Sequence, residues 1–221
     1  MLADEILEFY KNLTLTADLP AGVDFMNPYL EETTFNLCST FYRKYYSDDT
    51  PRFIILGINP GRFGGGITGV PFTDPVKLET ECGIKNNFTK KSELSADFIY
   101  QMIRAFGGPE RFYSRYFISA LSPLGFLKDG KNLNYYDIRE LQHAVEPFMI
   151  SCIERQLGFG IVTEKCFCLG EGENFRYFSK LNNQYNFFKT IEPLPHPRFI
   201  MQYRRKKVED YIQLYLSKLS F

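Results

Sequence analysis

Short apolar runs alternate along the chain with longer segments in which apolar residues recur every three or four positions. The short runs predict buried β-strands, and the longer recurrence predicts amphipathic helices. The predicted strands cover residues 52–57, 116–121, 165–170 and 187–191. The predicted helices cover residues 2–13, about 31–46, 94–106, 136–157, a segment that ends near 181, and 201–218.

Strands separated by helices predict an α/β fold, a three-layer α/β/α sandwich with a central, mainly parallel four-stranded sheet. A length of 221 residues fits one domain, residues 1–221, with residues 1–50 as an acidic helical segment packed on it. Ligands of such sheets bind beyond the carboxyl ends of the strands. The loops after the first, second and fourth predicted strands are therefore the candidate functional loops.

Composition narrows the class of protein. Hydrophobic residues make up 44% of the chain and charged residues 24%, which excludes a disordered chain. The opening residues do not resemble a signal peptide, and no apolar stretch approaches the roughly 20 residues that span a bilayer. We therefore expect no membrane partner and an intracellular, cytoplasmic protein, associated with the nucleoid if it is bacterial.

Charge is balanced overall but unevenly spread. Residues 1–50 hold 3 Lys and Arg against 9 Asp and Glu, and the formal net charge is zero. The densest basic run lies near the carboxyl terminus, between Arg198 and Lys207. Such a run is compatible with a solvated helix start, and also with a surface that faces phosphates.

The five cysteines form no C-x-x-C pair, and the chain has only two histidines. A zinc site, an iron–sulfur site and a disulfide framework are therefore not expected. We expect no metal and no cofactor.

The loop after the first predicted strand is rich in glycine, from Gly57 to Gly66, and continues to Phe72. Glycine allows the backbone to approach a ligand closely. The spacing matches neither phosphate-binding motif, G-x-x-x-x-G-K-[ST] or G-x-G-x-x-G, and a simple turn at Asn59-Pro-Gly61 is the alternative.

The loop after the fourth predicted strand contains His196 between prolines, which stiffen the backbone around the imidazole. A nucleophile elbow of the G-x-S-x-G type is absent from the sequence, and neither loop carries paired acids. Any chemistry at Asn59 and His196 must therefore proceed without a carboxylate base from these loops.

Together, these motifs resemble the uracil-DNA glycosylase superfamily, and within it the single-strand-selective monofunctional branch. The resemblance covers most of the chain after about residue 50. The motifs that carry it are Gly57-Ile-Asn-Pro-Gly61 through Thr68-Gly-Val-Pro-Phe72, then Ser92-Glu-Leu-Ser95, Gly108-Pro-Glu110, Ser122-Pro-Leu124, Gly130-Lys-Asn-Leu133 and His196-Pro-Arg198.

The resemblance implies a monofunctional DNA repair glycosylase that flips out uracil and hydrolyses its N-glycosidic bond, leaving an abasic site. It implies that Asn59 positions the water and that His196 stabilises the departing uracil anion at O2. Phe72 is then the platform on which the base stacks, and Ile58 is a further substrate-binding residue. A small residue at Gly61 leaves space beside uracil C5, so 5-hydroxymethyluracil is expected as a substrate too.

The second strand departs from the family pattern. In the branch that the chain resembles, an asparagine at the end of this strand pairs with the edge of the base, and here Ala120 takes that position. Ser119, Ser122, Asn86 or Asn87 are the candidates that could replace the missing amide.

The carboxyl-terminal motif departs as well, because His196-Pro-Arg198 is two residues shorter than the family's His-Pro-Ser-Pro-Arg. Phe199 or Met201 is the candidate for the wedge that enters the base stack, and burial against the last helix is the alternative for both. Arg198, Arg204 and Arg205 are expected to contact phosphates. The expected partner is single-stranded and possibly double-stranded DNA, and the enzyme is expected to be a monomer.

Ala120 also leaves other functions open. One is a glycosylase for another deaminated base, such as xanthine or hypoxanthine. Another is a non-catalytic nucleic-acid-binding member of the same fold. A nucleotide hydrolase that uses the glycine-rich loop for phosphates is the weakest alternative, because acidic metal ligands are missing near that loop.

Overall fold

The structure, a computed structural model, describes residues 1–220. Its strands in this range are β1 (Val23–Met26), β2 (Phe53–Gly57), β3 (Tyr116–Ala120), β4 (Gly125–Lys128), β5 (Lys131–Leu133), β6 (Lys165–Leu169) and β7 (Thr190–Leu194). Its α-helices are α1 (Leu2–Lys11), α2 (Glu32–Tyr45), α3 (Gly65–Thr68), α4 (Pro75–Thr80), α5 (Leu94–Phe106), α6 (Pro109–Tyr113), α7 (Arg139–Leu157), α8 (Glu173–Tyr185), α9 (Pro197–Tyr203) and α10 (Val208–Leu219). Short 3₁₀ turns cover Pro28–Leu30 and Arg205–Lys207.

The central sheet has the strand order β3-β2-β6-β7, and every neighbouring pair is parallel. Gly57 lies opposite Ala120, and Leu169 lies opposite Leu194, so the carboxyl ends of the strands meet at one edge. Helices flank this sheet. The predicted α/β fold with a four-stranded parallel sheet is confirmed.

Two adjacent aromatic residues of β3 show how helices cover both faces of the sheet. Successive side chains of a strand point to opposite faces. Tyr116 packs against Phe106 and Phe112, on the side of α5 and α6. Phe117 packs against Tyr42 and Tyr46, on the side of α2. The helices of the N-terminal segment therefore lie on one face of the sheet, and α5 and α6 lie on the other.

Two predicted boundaries near the carboxyl terminus are wrong. The last strand of the central sheet begins at Thr190, because Asn186 ends α8 in the left-handed conformation and the Asn182 side chain then holds both backbone polar groups of Phe188. The predicted helix over 201–218 is two helices, α9 and α10, with an interruption at Arg204. Apolar periodicity continues across this break, so the pattern alone does not reveal it.

A second, antiparallel sheet was not predicted. It has the order β1-β4-β5, and its strands are only three or four residues long, too short for a clear alternation of apolar and polar residues. Its last strand, β5, carries Leu133 toward the end of β2. This small sheet therefore supports one side of the candidate site.

The state of the cysteines and the length of the helices relate to the expectations about disulfides and about a membrane span. All five cysteines are free and buried. Cys166 and Cys168 alternate with Phe167 along β6, so they share one face of the strand. In the described part of the chain, no helix is both long enough and apolar enough to cross a bilayer.

Arg52 is a buried charge that connects the N-terminal segment to the sheet. Its side chain is fully buried, its Nε donates to the carbonyl oxygen of Tyr113 at 2.8 Å, and its Nη2 pairs with the Asp48 carboxylate at 2.9 Å. This pairing holds the pKa of Asp48 at about 2. The guanidinium thus supplies a donor to the buried carbonyl oxygen of Tyr113 and is itself neutralised by a half-exposed carboxylate.

We expect Arg52→Ala to lower the free energy of unfolding by about 2–4 kcal/mol, because it leaves the buried Tyr113 carbonyl oxygen unpaired and a cavity where the side chain was. Urea unfolding followed by circular dichroism measures the change. Arg43→Ala is the matched control, since Arg43 pairs with Asp4 on the surface, and its loss is expected to cost less than about 1 kcal/mol. Equal unfolding midpoints for Arg52→Ala and the wild type would show that this buried pairing does not stabilise the fold.

Candidate active site

A cavity opens at the carboxyl ends of the central strands. Its volume is about 110 Å³, several times the roughly 30 Å³ that one water occupies in the liquid. The loop after β2, the end of β3 and the residues after β7 all line it. The parallel register produces this arrangement, because it brings the ends of distant chain segments to one edge of the sheet.

Asn59 lies in this cavity with its side chain fixed by the backbone that follows β5. Its Nδ2 donates to the carbonyl oxygen of Leu133 at 3.1 Å, and its Oδ1 accepts from the backbone N–H of Tyr135 at 3.1 Å. A carboxamide has two N–H groups and two acceptor lone pairs. One donor and one acceptor site of Asn59 therefore stay available for a ligand or a water.

Phe72 forms one wall of the cavity. Its ring lies against the end of β2, where a Cβ on Gly57 would be only 2.9 Å from the ring. The ring centroid is 6.0 Å from that of His196. Phe72 has a positive φ of 54°, which is uncommon for an aromatic residue and costs on the order of 1–3 kcal/mol. Such strain is typical of functional sites, where the surrounding structure holds it.

His196 is held in one protonation state by its place at the start of α9. Its Nδ1 accepts the backbone N–H of Arg198 at 3.1 Å, so the proton of the neutral ring is on Nε2. Burial lowers the pKa of His196 to about 4, and the charge of Arg198 adds to this effect. At neutral pH the residue is therefore an uncharged hydrogen-bond donor.

Glu93 is a carboxyl group of the cavity that the sequence analysis did not single out. Burial raises the pKa of Glu93 to about 7, the Asp74 carboxylate adds to the rise, and Arg198 opposes it. A Cβ on Gly64 would overlap Glu93 Oε2, and one on Gly61 would be 3.6 Å from Oε1. The glycine-rich loop is thus shaped around this carboxyl group.

Comparisons with known proteins identify the family. The family model described as "Uracil DNA glycosylase superfamily" matches residues 43–220. The chain belongs to the uracil DNA glycosylase superfamily. It is similar to a solved structure, wild-type SMUG2 from Pedobacter heparinus, with 48% sequence identity and a TM-score of 0.96. That match covers 98% of this chain and 96% of the other. No curated protein sequence matches the chain.

Membership of this superfamily confirms the resemblance on which the sequence analysis relied. The protein is a monofunctional DNA glycosylase, a hydrolase of N-glycosyl bonds that excises uracil in base excision repair, and it binds DNA. A non-catalytic member of the fold is therefore not the correct interpretation. The roles of individual residues stay predictions at this point.

Most of the residues predicted for this glycosylase site come together in space. Those that line the cavity are Ile58, Asn59, Gly61, Phe72, Ser119, His196 and Arg198. Ala120, at the position where the family has asparagine, lines it too and is 6% exposed. The cavity therefore has a wall without the expected amide.

Ser122 and Asn87 do not line the glycosylase cavity, so the structure does not support them as base-binding residues. The Ser122 hydroxyl is buried and donates to the carbonyl oxygen of Leu124 at 2.8 Å, which closes the turn after β3. Asn87 is exposed in a separate surface depression, beside Asn36 and Phe88. Asn86, the other asparagine considered, donates its amide to the carbonyl oxygen of Pro75.

The predicted DNA-binding residues lie on and after α9, beside the opening of the cavity. Phe199 is 41% exposed, and the Arg204 guanidinium lies 5.3 Å from its ring centroid. Arg205 is exposed in the 3₁₀ turn that follows. Met201 is only 6% exposed and belongs to the core, so of the two candidate wedges only Phe199 can reach DNA.

A second basic cluster beside the glycine-rich loop escaped the sequence analysis. The Lys91 ammonium lies 3.7 Å from the ring centroid of Phe63, and the Arg62 guanidinium lies 4.5 Å from it. Arg62 is adjacent in the chain to Gly61, which lines the cavity. No sequence signal marks this cluster, because Lys91 comes from a distant loop.

A metal site was not expected from the sequence. Within residues 1–220, no group of three or more His, Cys, Asp or Glu side chains is arranged so that it could hold a metal ion.

The raised pKa of Glu93 has a consequence for stability. The folded state keeps the proton of this carboxyl up to about pH 7, whereas an unfolded glutamate loses it near 4.5. Stability contributed by Glu93 therefore falls as pH rises from about 4.5 to about 7.

We expect the free energy of unfolding of Glu93→Gln to lack this decrease with pH. The difference in free energy of unfolding, variant minus wild type, should therefore rise by roughly 2–3 kcal/mol from pH 4.5 to pH 8. Urea unfolding at a series of pH values, followed by circular dichroism, measures the difference. Glu154→Gln on the exposed surface of α7 is the control and is expected to follow the wild type. Parallel pH curves for Glu93→Gln and the wild type would rule out the burial effect.

Proposed function

We propose that Asn59 and His196 are the catalytic pair of this uracil glycosylase. The observation that carries the proposal is their convergence on one cavity, with the amide of Asn59 fixed and His196 held neutral with its proton on Nε2. Neither group needs to act as a strong base. This fits a reaction in which bond cleavage runs ahead of the attack by water.

In the proposed reaction, the bond between uracil N1 and the sugar C1′ breaks and its electron pair stays on uracil. The sugar becomes oxocarbenium-like, and water adds to C1′. The proton that this water loses passes to solvent, and the departing uracil anion takes up one proton, so the products are neutral uracil and the abasic sugar. His196 Nε2 donates a hydrogen bond to uracil O2, where negative charge develops. Asn59 holds the water by its free amide sites below the sugar. No covalent intermediate with a lysine forms.

Phe72 and Gly61 set the shape of the site for the base. The Phe72 ring, fixed between Gly57 and His196, is the surface on which the flipped base stacks. A Cβ on Gly61 would approach Asn132 Nδ2 to 3.2 Å, so a larger residue there would fill the cavity wall. The absence of a side chain at Gly61 supports 5-hydroxymethyluracil as a substrate beside uracil. Ile58, which precedes Asn59 and also lines the cavity, contacts the substrate as well.

We expect Asn59→Ala and His196→Ala each to reduce single-turnover uracil excision by about a hundredfold or more, since each removes a group used in the transition state. The assay uses single-stranded oligonucleotides that carry one uracil or 5-hydroxymethyluracil, with alkali to reveal abasic sites.

His143→Ala is the matched control, because His143 is the other histidine of the chain and is exposed on α7. Urea unfolding separates catalysis from folding, since Asn59 also holds the backbone after β5. A correctly folded variant that keeps the wild-type rate would remove that residue from the mechanism.

A deaminated purine, xanthine or hypoxanthine, is a second candidate substrate. Ala120 supports it, because the methyl side chain presents no amide to select the uracil edge. The same assay with oligonucleotides that carry these purines tests the candidate. Release of xanthine or hypoxanthine without release of uracil would show that a deaminated purine is the preferred base.

The surface around Phe199 binds the DNA strand in the proposed complex. Arg198 lines the cavity, and Arg204 and Arg205 are exposed just after α9. These residues contact phosphates, and Phe199 enters the stack and holds the base out. The resemblance favours single-stranded DNA, and an exposed wedge supports activity on duplexes too.

We expect the double variant Arg204→Ala/Arg205→Ala to weaken DNA binding and to lower the slope of log affinity against log salt by about 1.4, or about 0.7 for each lost contact to a single strand. Fluorescence anisotropy with a labelled oligonucleotide at several salt concentrations measures the slope. Lys180→Ala/Lys189→Ala removes two exposed charges, one on α8 and one just before β7, and is expected to keep the wild-type slope. An unchanged slope in the arginine variant would mean that these residues only solvate the surface.

The oligomeric state, the domain organisation and the location of the enzyme follow from the same features. Asn59, Phe72 and His196 meet within a single copy of the chain, so the proposed reaction needs no residue from a second subunit, and we propose a monomer. The buried core includes residues from Leu2 to Leu219, which supports one domain with residues 1–50 as part of it. A substrate of DNA supports action in the cytoplasm, or at the nucleoid of a bacterium.

A further inference from the structure

The N-terminal segment reaches the cavity of the active site. Tyr10 of α1 and Tyr29 of the following 3₁₀ turn both line it. Their rings stack with centroids 4.2 Å apart and an interplanar angle of 17°. Tyr10 is 1% exposed, so this stacked pair is fixed inside the protein. The N-terminal helix is thus part of the wall that a bound base would meet.

Ser119 faces the same region with a buried hydroxyl group close to that of Tyr10. The residue is fully buried and lines the cavity, and its Oγ makes no hydrogen bond within the described residues. It lies two residues after Phe117 on β3, so its side chain points to the face covered by α2. Buried hydroxyl groups are normally hydrogen-bonded, so this one is available to a ligand.

The hydroxyl of Tyr10 is oriented by a neighbour. Its oxygen accepts a hydrogen bond from the Tyr42 hydroxyl at 3.3 Å, so the Tyr42 contact does not use the proton of Tyr10. Burial raises the pKa of Tyr10, and the polar groups of Tyr42 and Ser119 nearby offset part of the rise. Tyr10 therefore stays protonated and is a donor at neutral pH.

We infer that the hydroxyl groups of Tyr10 and Ser119 bind the Watson–Crick edge of the flipped base, in place of the amide that Ala120 lacks. The inference rests on the proposed function, because it requires the base to enter the cavity beside Phe72. Tyr10 donates to the carbonyl oxygen at C4 of uracil. Ser119 Oγ accepts from the adjacent N3–H.

This arrangement also provides selectivity against cytosine. The Tyr42 hydroxyl occupies one acceptor site of the Tyr10 oxygen. In the inferred complex, the proton of Tyr10 therefore points to the base. Cytosine carries an amino group at C4, and two donors would then face each other without an acceptor. An unpaired buried polar group is unfavourable, which disfavours cytosine about tenfold to a hundredfold. Tyr42 is accordingly a positioning residue.

The test compares Tyr10→Phe and Ser119→Ala with the wild type in two binding measurements. The first is inhibition of excision by free uracil, which reports on contacts with the base alone. The second is the affinity for an oligonucleotide with a tetrahydrofuran abasic site, which has no base. Tyr46→Phe is the matched control, because its buried hydroxyl donates to the carbonyl oxygen of Tyr116, away from the cavity.

We expect Tyr10→Phe and Ser119→Ala each to weaken inhibition by free uracil about tenfold, and to bind the abasic oligonucleotide with wild-type affinity. The control Tyr46→Phe is expected to match the wild type in both measurements. Unchanged inhibition by uracil would overturn the inference. Equal losses in both measurements would also overturn it, because they would indicate a structural role.

The outcome for the proposed function is separate. A wild-type enzyme that releases uracil, together with variants that bind uracil normally, would leave the proposed function intact and reject only the roles of Tyr10 and Ser119. A wild-type enzyme that releases no uracil would reject both.

Discussion

Parallel pairing of β2 with both β3 and β6 is the constraint on which the site depends. It aligns the carboxyl ends of the strands, so that the loop after β2 and the residues after β7 meet over one edge of the sheet. Gly57, opposite Ala120 at this edge, leaves room for the Phe72 ring. A shift of register by one residue would turn these side chains to the wrong faces.

Burial then sets the electrical character of the cavity. The same loss of contact with water lowers the pKa of His196 to about 4 and raises the pKa of Glu93 to about 7. One residue loses positive charge and the other loses much of its negative charge. Hydrogen-bond donors act more strongly on a developing anion in such surroundings, because little water is present to screen them.

The net charge of the N-terminal segment, residues 1–50, does not indicate that the segment lies at the cavity. Its acidic composition predicts a solvated cap, and its exposed side chains agree with that. Its inner face, however, is aromatic, and Tyr10, Tyr29 and Tyr42 pack together against the sheet. The segment therefore belongs to the wall of a DNA-binding cavity although its net charge would repel phosphates. Arg52 ties it to the end of α6 through the carbonyl oxygen of Tyr113.

The sequence by itself determined the central sheet and the loops of the candidate site, because apolar runs and the motifs around Asn59 and His196 are local patterns. Only the tertiary structure decided which other side chains reach the cavity. Glu93 lies against Gly64, and Tyr10 lies near Ser119, although both pairs are far apart in the chain. Ser119, Ser122 and Asn87 could not be separated by sequence either. The direction of a side chain at a strand end or in an irregular loop depends on its packing partners, and no local period records those partners.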